Sequence, residues 1–253
     1  MKLTDKGLVL REVKYGETSR ILTVFTQNHG ILSVSAKGSL NPKSKLFSAS
    51  GLYSYSEWVL REGRKTYFAD EAAPIEVFFG LRERVESLYL AAYIAELAQM
   101  LSPVGEESAR ILRLTLNSLY MLSHHKKDPA LVKAVYEMRA LAESGFMPGL
   151  LACEECGKYE GGPFHFSAAS GTLLCGSCAE KREIMCNLNE GALAALRHIV
   201  LSDDDKLYSF TLGKEGLGCL GVASEQYALH HLHTPPRSLV PLQMILNGET
   251  KDR

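Results

Sequence analysis

Over residues 7–35 β-branched and aromatic side chains alternate with polar ones, and Gly16 and the run Asn28-His29-Gly30 punctuate the alternation. This period of two predicts strand, turn, strand, turn, strand. The same texture returns over residues 52–63 and 65–78, with turns near Gly51 and Gly63, so about five short strands are expected in the first 80 residues. Five short antiparallel strands at this spacing suit a small barrel, and the OB-fold is the commonest five-stranded candidate.

From Leu81 the period lengthens to about 3.6, with Leu81, Val85, Leu88, Tyr89, Ala92 and Ala95 on one side of a helix. Ser102-Pro103-Val104-Gly105 breaks it, a second helix is expected over 106–123, and a third follows Asp128-Pro129, where proline suits a first helical turn. Met147-Pro148-Gly149 stops the third, and a cysteine-rich insert follows. Beyond it Asn187 or Asn189 can cap a helix through Leu201. Asp203–Asp205 and the glycine-rich stretch 213–221 read as loops, before a last helix over 224–232 and a break at Pro235-Pro236. The fold expected is α+β: an N-terminal five-stranded OB-fold barrel over 1–80, a helical domain over 81–149 and 187–253, and a zinc-binding insert over 150–186.

The 253 residues are 46% hydrophobic and 23% charged, enough to bury a core, which excludes a disordered, collagen-like or coiled-coil chain. The most apolar run, Leu88 to Leu101, is interrupted by Glu96 and too short to span a bilayer, and the opening residues lack the pattern of a signal peptide. A cytoplasmic location is expected. Six cysteines in a reducing compartment point to metal or redox chemistry rather than disulfides. The net charge of −1 hides a basic start: residues 1–68 carry eleven Lys/Arg against five Asp/Glu, while 151–190 carry three against six.

Cys153-x-x-Cys156 and Cys175-x-x-Cys178 have the doubled spacing of a four-thiolate zinc site. Each pair can turn two sulfurs toward one point, and four protein ligands leave no position for water, so one structural Zn2+ per chain is expected. Four unligated thiols, or two redox pairs, are the alternative. Cys186 and Cys219 lack partners at ligand spacing, and His165 is a lesser candidate ligand.

Lys37, Lys43 and Lys45 flank one loop of the expected barrel, and Arg61, Arg64 and Lys65 bracket the turn at Gly63. Such cations neutralise phosphates, and Tyr53, Tyr55, Phe47 and Tyr67 supply flat faces on which unpaired bases stack. A solvated charged face with aromatic core residues is the plainer reading of the same pattern.

The chain resembles the RecO family over nearly its whole length. The resemblance lies in Leu8 through Leu22, in Lys37-Gly38 followed by Pro42-Lys43-Ser44-Lys45, in Phe78 through Arg82, in Gly145-Phe146-x-Pro148 before the cysteines, and in Pro236 through Leu239. It implies an OB-fold, a helical body and a zinc ribbon, and a role as a recombination mediator in DNA repair. Family members bind single- and double-stranded DNA, anneal strands, and with RecR help load RecA onto DNA coated by single-strand-binding protein. Carried over, the implied DNA contacts are Lys37, Lys43 and Lys45, with Arg11, Lys14 and Arg20 as weaker candidates. The family also docks the acidic, apolar carboxy-terminal tail of single-strand-binding protein, for which Arg113, Lys133 and Arg139 are the expected contacts, although surface charge pairing explains them equally well.

No phosphate loop, nucleophile elbow or H-E-x-x-H helix occurs, and His124-His125, His230-His231-x-His233 and Asp203–Asp205 lack metal-site patterns. No enzymatic activity is expected. The rival classes are a zinc-braced protein-interaction scaffold without direct DNA binding and a zinc-dependent nucleic-acid enzyme.

Overall fold

The computed structural model describes residues 2–102, 108–246 and 248. Its elements are β1 (Lys2–Tyr15), β2 (Ser19–Thr26), β3 (Gly30–Ala36), α1 (Leu46–Ala49), β4 (Ser54–Arg61), β5 (Tyr67–Val77), α2 (Val85–Leu101), α3 (Ser108–Ser123), α4 (Pro129–Glu143), β6 (Gly149–Cys153), β7 (Phe164–Ser167), β8 (Thr172–Cys175), α5 (Gly176–Lys181), α6 (Glu190–Leu201), α7 (Lys214–His231) and α8 (Leu239–Leu246). Pro103, Val104, Gly105 and the expected helix start at Glu106 lie outside the described residues. The chain divides into two compact units, Met1–His124 and His125–Arg253, so α2 and α3 fall with the five-stranded sheet and not with the later helices.

In the first unit the inward positions of the strands and one residue of α1 form one apolar cluster: Val9, Leu22, Val24, Leu32, Val34, Trp58 and Leu60 are buried together with Leu46. Their alternation with exposed neighbours is the period-two pattern of a sheet with one packed face. Trp58 is fully enclosed and its indole Nε1–H donates to the Gly7 carbonyl at 3.1 Å, which satisfies the one polar atom of the ring.

The five strands close into a barrel, but the expectation that all of them are short and antiparallel is corrected by the strand pairing. The order is β1-β2-β3-β5-β4, with β4 returning to β1. However, β3 and β5 run parallel, and they meet through two register pairs only, Val34 with Tyr67 and Ser35 with Phe68. Nor are the strands uniformly short: β1 has 14 residues and β5 has 11, and both take part in bulged ladders. The first half of β1 pairs with β4 and the second half with β2. The result is a closed five-stranded barrel of uneven strands with one narrow parallel seam between β3 and β5.

In the second unit α4 starts where expected: the Asp128 carboxylate accepts from Ala130 N at 2.8 Å, with Pro129 in the first turn. Asn189 caps α6 in the same way through Ala192 N at 2.9 Å. The glycine-rich stretch expected as a loop lies mostly inside α7. Glycine is a poor helix former, but packing overrides the propensity at Gly216, where a Cβ would stand 2.9 Å from Leu212 Cδ1. α8 follows the proline break, where no helix was expected. The insert is a three-stranded sheet, ordered β6-β8-β7, with α5 after it.

Candidate nucleic-acid interface and metal centre

Where β3, β4 and β5 come together in the first unit, two of the expected contacts gather around a residue that the sequence reading passed over. Phe68 pairs with Arg61 across the β4–β5 ladder and with Ser35 across the parallel seam. The Arg61 guanidinium lies over its ring, 5.0 Å from the centroid, and Lys37 Nζ stands 5.9 Å from the same centroid. Arg64 and Lys65 are exposed in the turn between the two strands. That turn needs Gly63: a Cβ there would meet Thr66 O at 2.5 Å and Phe68 Cε2 at 2.7 Å. Lys43 and Lys45 are exposed in the loop that leaves β3, and Arg11 and Lys14 are exposed on β1. Among the described residues, Lys37, Lys43, Lys45, Arg64, Lys65, Arg11 and Lys14 form no ion pair.

Arg20 is a correction. Its Nη1 donates to Ser39 O at 2.8 Å and Ser50 Oγ at 2.9 Å, its Nε lies 3.2 Å from Glu12, and its guanidinium sits over Phe47. A side chain so engaged ties β2 to the loop after β3 and is not offered to a phosphate. The aromatic expectations also change. Tyr53 is 3% exposed, and burial pushes its hydroxyl up to about 12, against a smaller opposing effect of Arg82. Tyr67 turns onto the apolar cluster, while Tyr55 is half-buried and Phe47 is exposed beneath Arg20. Strand parity would have found the better face: Leu60 and Tyr67 point inward, so Arg61 and Phe68 point out.

In the second unit the four cysteines converge. The sulfurs of Cys153, Cys156, Cys175 and Cys178 all lie within 4.8 Å of one another, with Cys156 and Cys175 at 3.5 Å. Tetrahedral thiolates at about 2.3 Å from a metal would be spaced by about 3.8 Å, so the donor set and its size both fit a metal ion. Among the described residues this is the only such group. His165 instead places Nδ1 2.8 Å from the Met185 carbonyl. Desolvation raises the Cys153 thiol, but backbone N–H groups of Cys175, Cys156 and Glu155, together with the Cys156 side chain, outweigh it and bring it down to about 6. Cys178 is pushed up, first by its hydrogen bond with Glu155 and then by burial. Packed thiols shed their protons unequally, and a divalent cation among them would favour the thiolate at every position.

The expected partner contacts are corrected at two of three positions. Lys133 is buried, with Nζ 2.7 Å from Glu137 Oε1 and 2.8 Å from Glu225 Oε2. Arg139 pairs with Glu143 and Asp204 and donates through Nη1 to the carbonyls of Ile199, Val200 and Ser202, closing the end of α6. Neither is offered to a ligand. Arg113 is exposed on α3. A different place in the second unit combines cations with apolar surface: a cavity of about 330 Å³ lined by Lys126, Lys127, Lys214, Leu131, Phe210 and Leu217.

The sequence matches two family models, described as "Recombination protein O N terminal" over residues 1–78 and "Recombination protein O C terminal" over residues 82–239. It is 35% identical to the DNA repair protein RecO of Acetivibrio thermocellus, over 91% of this chain and 92% of that one. It is 31% identical to the DNA repair protein RecO of Caldicellulosiruptor saccharolyticus, over 83% and 84% of the two chains, and 28% identical to that of Alkaliphilus metalliredigens, over 92% and 94%. No helix among the described residues is long and apolar enough to cross a membrane.

Proposed function

Because the chain belongs to the RecO family of DNA-repair recombination mediators and is not an enzyme, we propose that its first unit holds DNA by the phosphate backbone while a zinc-bound cysteine cage shapes the second. The observation that carries this reading is the set of exposed cations without ion-pair partners, among the described residues, in the loop after β3 and the turn between β4 and β5: Lys37, Lys43, Lys45, Arg64 and Lys65. A cation already matched by a carboxylate contributes little to counterion release, whereas an unmatched one contributes fully. Contacts of this kind carry no sequence information, which suits a protein that acts on single- and double-stranded DNA and anneals strands wherever a gap occurs. Loading RecA onto DNA coated by single-strand-binding protein, with RecR as partner, is the step this binding serves, at the nucleoid in the cytoplasm.

Lys43→Ala combined with Lys45→Ala tests the interface. The loss of two phosphate contacts is expected to reduce the slope of log K against log salt by about 1 to 2 units, nearly equally for single strands and duplex, with thermal unfolding unchanged. Fluorescence anisotropy over a salt series measures it. An unchanged slope would place the interface elsewhere, and wild-type binding that is weak and insensitive to salt would favour a protein-interaction scaffold.

The tail of single-strand-binding protein is acidic and apolar, so it needs ammonium groups beside a greasy surface. The cavity bounded by Lys126, Lys127 and Lys214 over Leu131, Phe210 and Leu217 supplies both. Lys214→Glu is expected to weaken binding of a labelled tail peptide about tenfold, since a like charge replaces an attractive one. If only Arg113→Glu weakened the peptide, the tail would belong on α3.

A further inference from the structure

Arg61 stands apart from the lysines around it. It is the one expected phosphate contact on the outer face of β4 and β5 that already has a carboxylate, with Nε 3.4 Å from Asp70 Oδ1, and Lys2 shares that carboxylate at 3.8 Å. A matched charge is a poor choice for neutralising phosphate. What the pairing does achieve is orientation, because Asp70 holds one edge of the guanidinium while Phe68 lies beneath it, 5.0 Å from ring centroid to Cζ. The side chain is nevertheless 54% exposed, so the group is open away from Phe68. Arg61 and Phe68 are direct cross-strand partners, which places them side by side on one sheet face. Lys37 approaches the same ring, and Gly63 brings the turn backbone against it.

A guanidinium is planar, weakly hydrated and stacks on flat π-systems, whereas an ammonium does none of these. We propose that Arg61, held over Phe68 and beside Asp70, is a stacking platform for an unpaired nucleobase, so that this corner of the sheet selects single strands from a surface that otherwise grips any phosphate backbone. The inference rests on the DNA-binding reading above. In duplex DNA the base faces are occupied by their neighbours, so the platform acts only where bases are unstacked. The surrounding cations Lys37, Arg64 and Lys65 hold the backbone of the same strand as it passes.

Arg61→Lys separates stacking from charge. It keeps the positive charge and removes the plane, so affinity for a single-stranded oligonucleotide is expected to fall about tenfold. Duplex affinity should change by less than about twofold, and the salt slope should not change, because the charge count is the same. An oligonucleotide with abasic sites should bind wild type and Arg61→Lys alike, since the partner of the platform is gone. Phe68→Leu should reproduce the single-strand defect and Phe68→Tyr should not, with urea unfolding confirming that each variant folds.

Equal losses on single strands and duplex would make Arg61 a backbone contact and overturn the proposal. So would an Arg61→Lys variant that binds single strands as well as wild type, and in that case an intact salt-dependent wild-type affinity would leave the broader DNA-binding reading standing. Wild-type protein without salt-dependent binding would overturn both.

Discussion

Replacing Lys133 by alanine is expected to lower the stability of the second unit by about 3–5 kcal/mol, the usual cost of stripping one partner from a buried ion pair. Glu137 is fully buried and receives the Ser224 hydroxyl at 2.7 Å as well as the Lys133 ammonium, while Glu225 accepts from Gln243 at 2.7 Å. Without Lys133 the Glu137 carboxylate stays inside and loses the ammonium that stood 2.7 Å from it. Against total stabilities of about 5–15 kcal/mol the loss is large, and a fall in the urea midpoint measures it. Lys133→Met combined with Glu137→Leu should recover much of the loss, because removing both charges removes the desolvation problem.

The pH dependence has a definite sign. Burial lowers the Lys133 pKa, but Glu137 and Glu225, by charge and hydrogen bonding, outweigh it and leave the pKa raised. A raised folded-state value means that the stabilisation is complete below the unfolded lysine value of about 10.4 and is lost as pH climbs through the folded one. The gap between wild type and Lys133→Ala is therefore constant at neutral pH and narrows only in strong alkali.

Cys175→Ser is expected to abolish stoichiometric zinc and to loosen the insert. Three thiolates and a hydroxyl bind the ion far more weakly, and metal affinity in such sites is folding energy, about 10–16 kcal/mol for zinc-finger peptides at neutral pH. Cys175 lies at the junction of β8 and α5, and its strand pairs with both others in the insert, so slackening there reaches the whole three-stranded sheet. Metal release detected with a chromogenic chelator, together with hydrogen exchange across β6 to α5, reads both effects. Retention of one zinc per chain would contradict four-cysteine ligation. Single-strand affinity should survive, since the contacts proposed for it lie in the first unit.

The cysteine cage was legible in the sequence because its signal is local: each pair spans one turn, and only the meeting of the two pairs is left to the fold. Helix caps such as Asp128 and Asn189 were legible for the same reason. The narrow parallel seam was not, because pairing of Ser35 with Phe68 joins residues far apart in the chain, and no local pattern encodes such a partner. Phe68 was missed with it, and Tyr67 was preferred although alternation with Leu60 turns Tyr67 inward. Lys133 and Arg139 were expected at the surface because a charged residue on an amphipathic helix usually is. Their burial became favourable only once α7 supplied Glu225, and the end of α6 and the loop after it supplied carbonyls and Asp204. The first half of α7 escaped notice because its glycines argue against a helix until Leu212 is packed against Gly216.

The chain has a single tryptophan, Trp58, sealed in the apolar cluster of the first unit. Its emission is therefore a built-in optical gauge of that unit, shifting to the red when the sheet opens to water. Circular dichroism recorded beside it, which reports on the whole chain, would show in one unlabelled sample whether the two units melt together or apart.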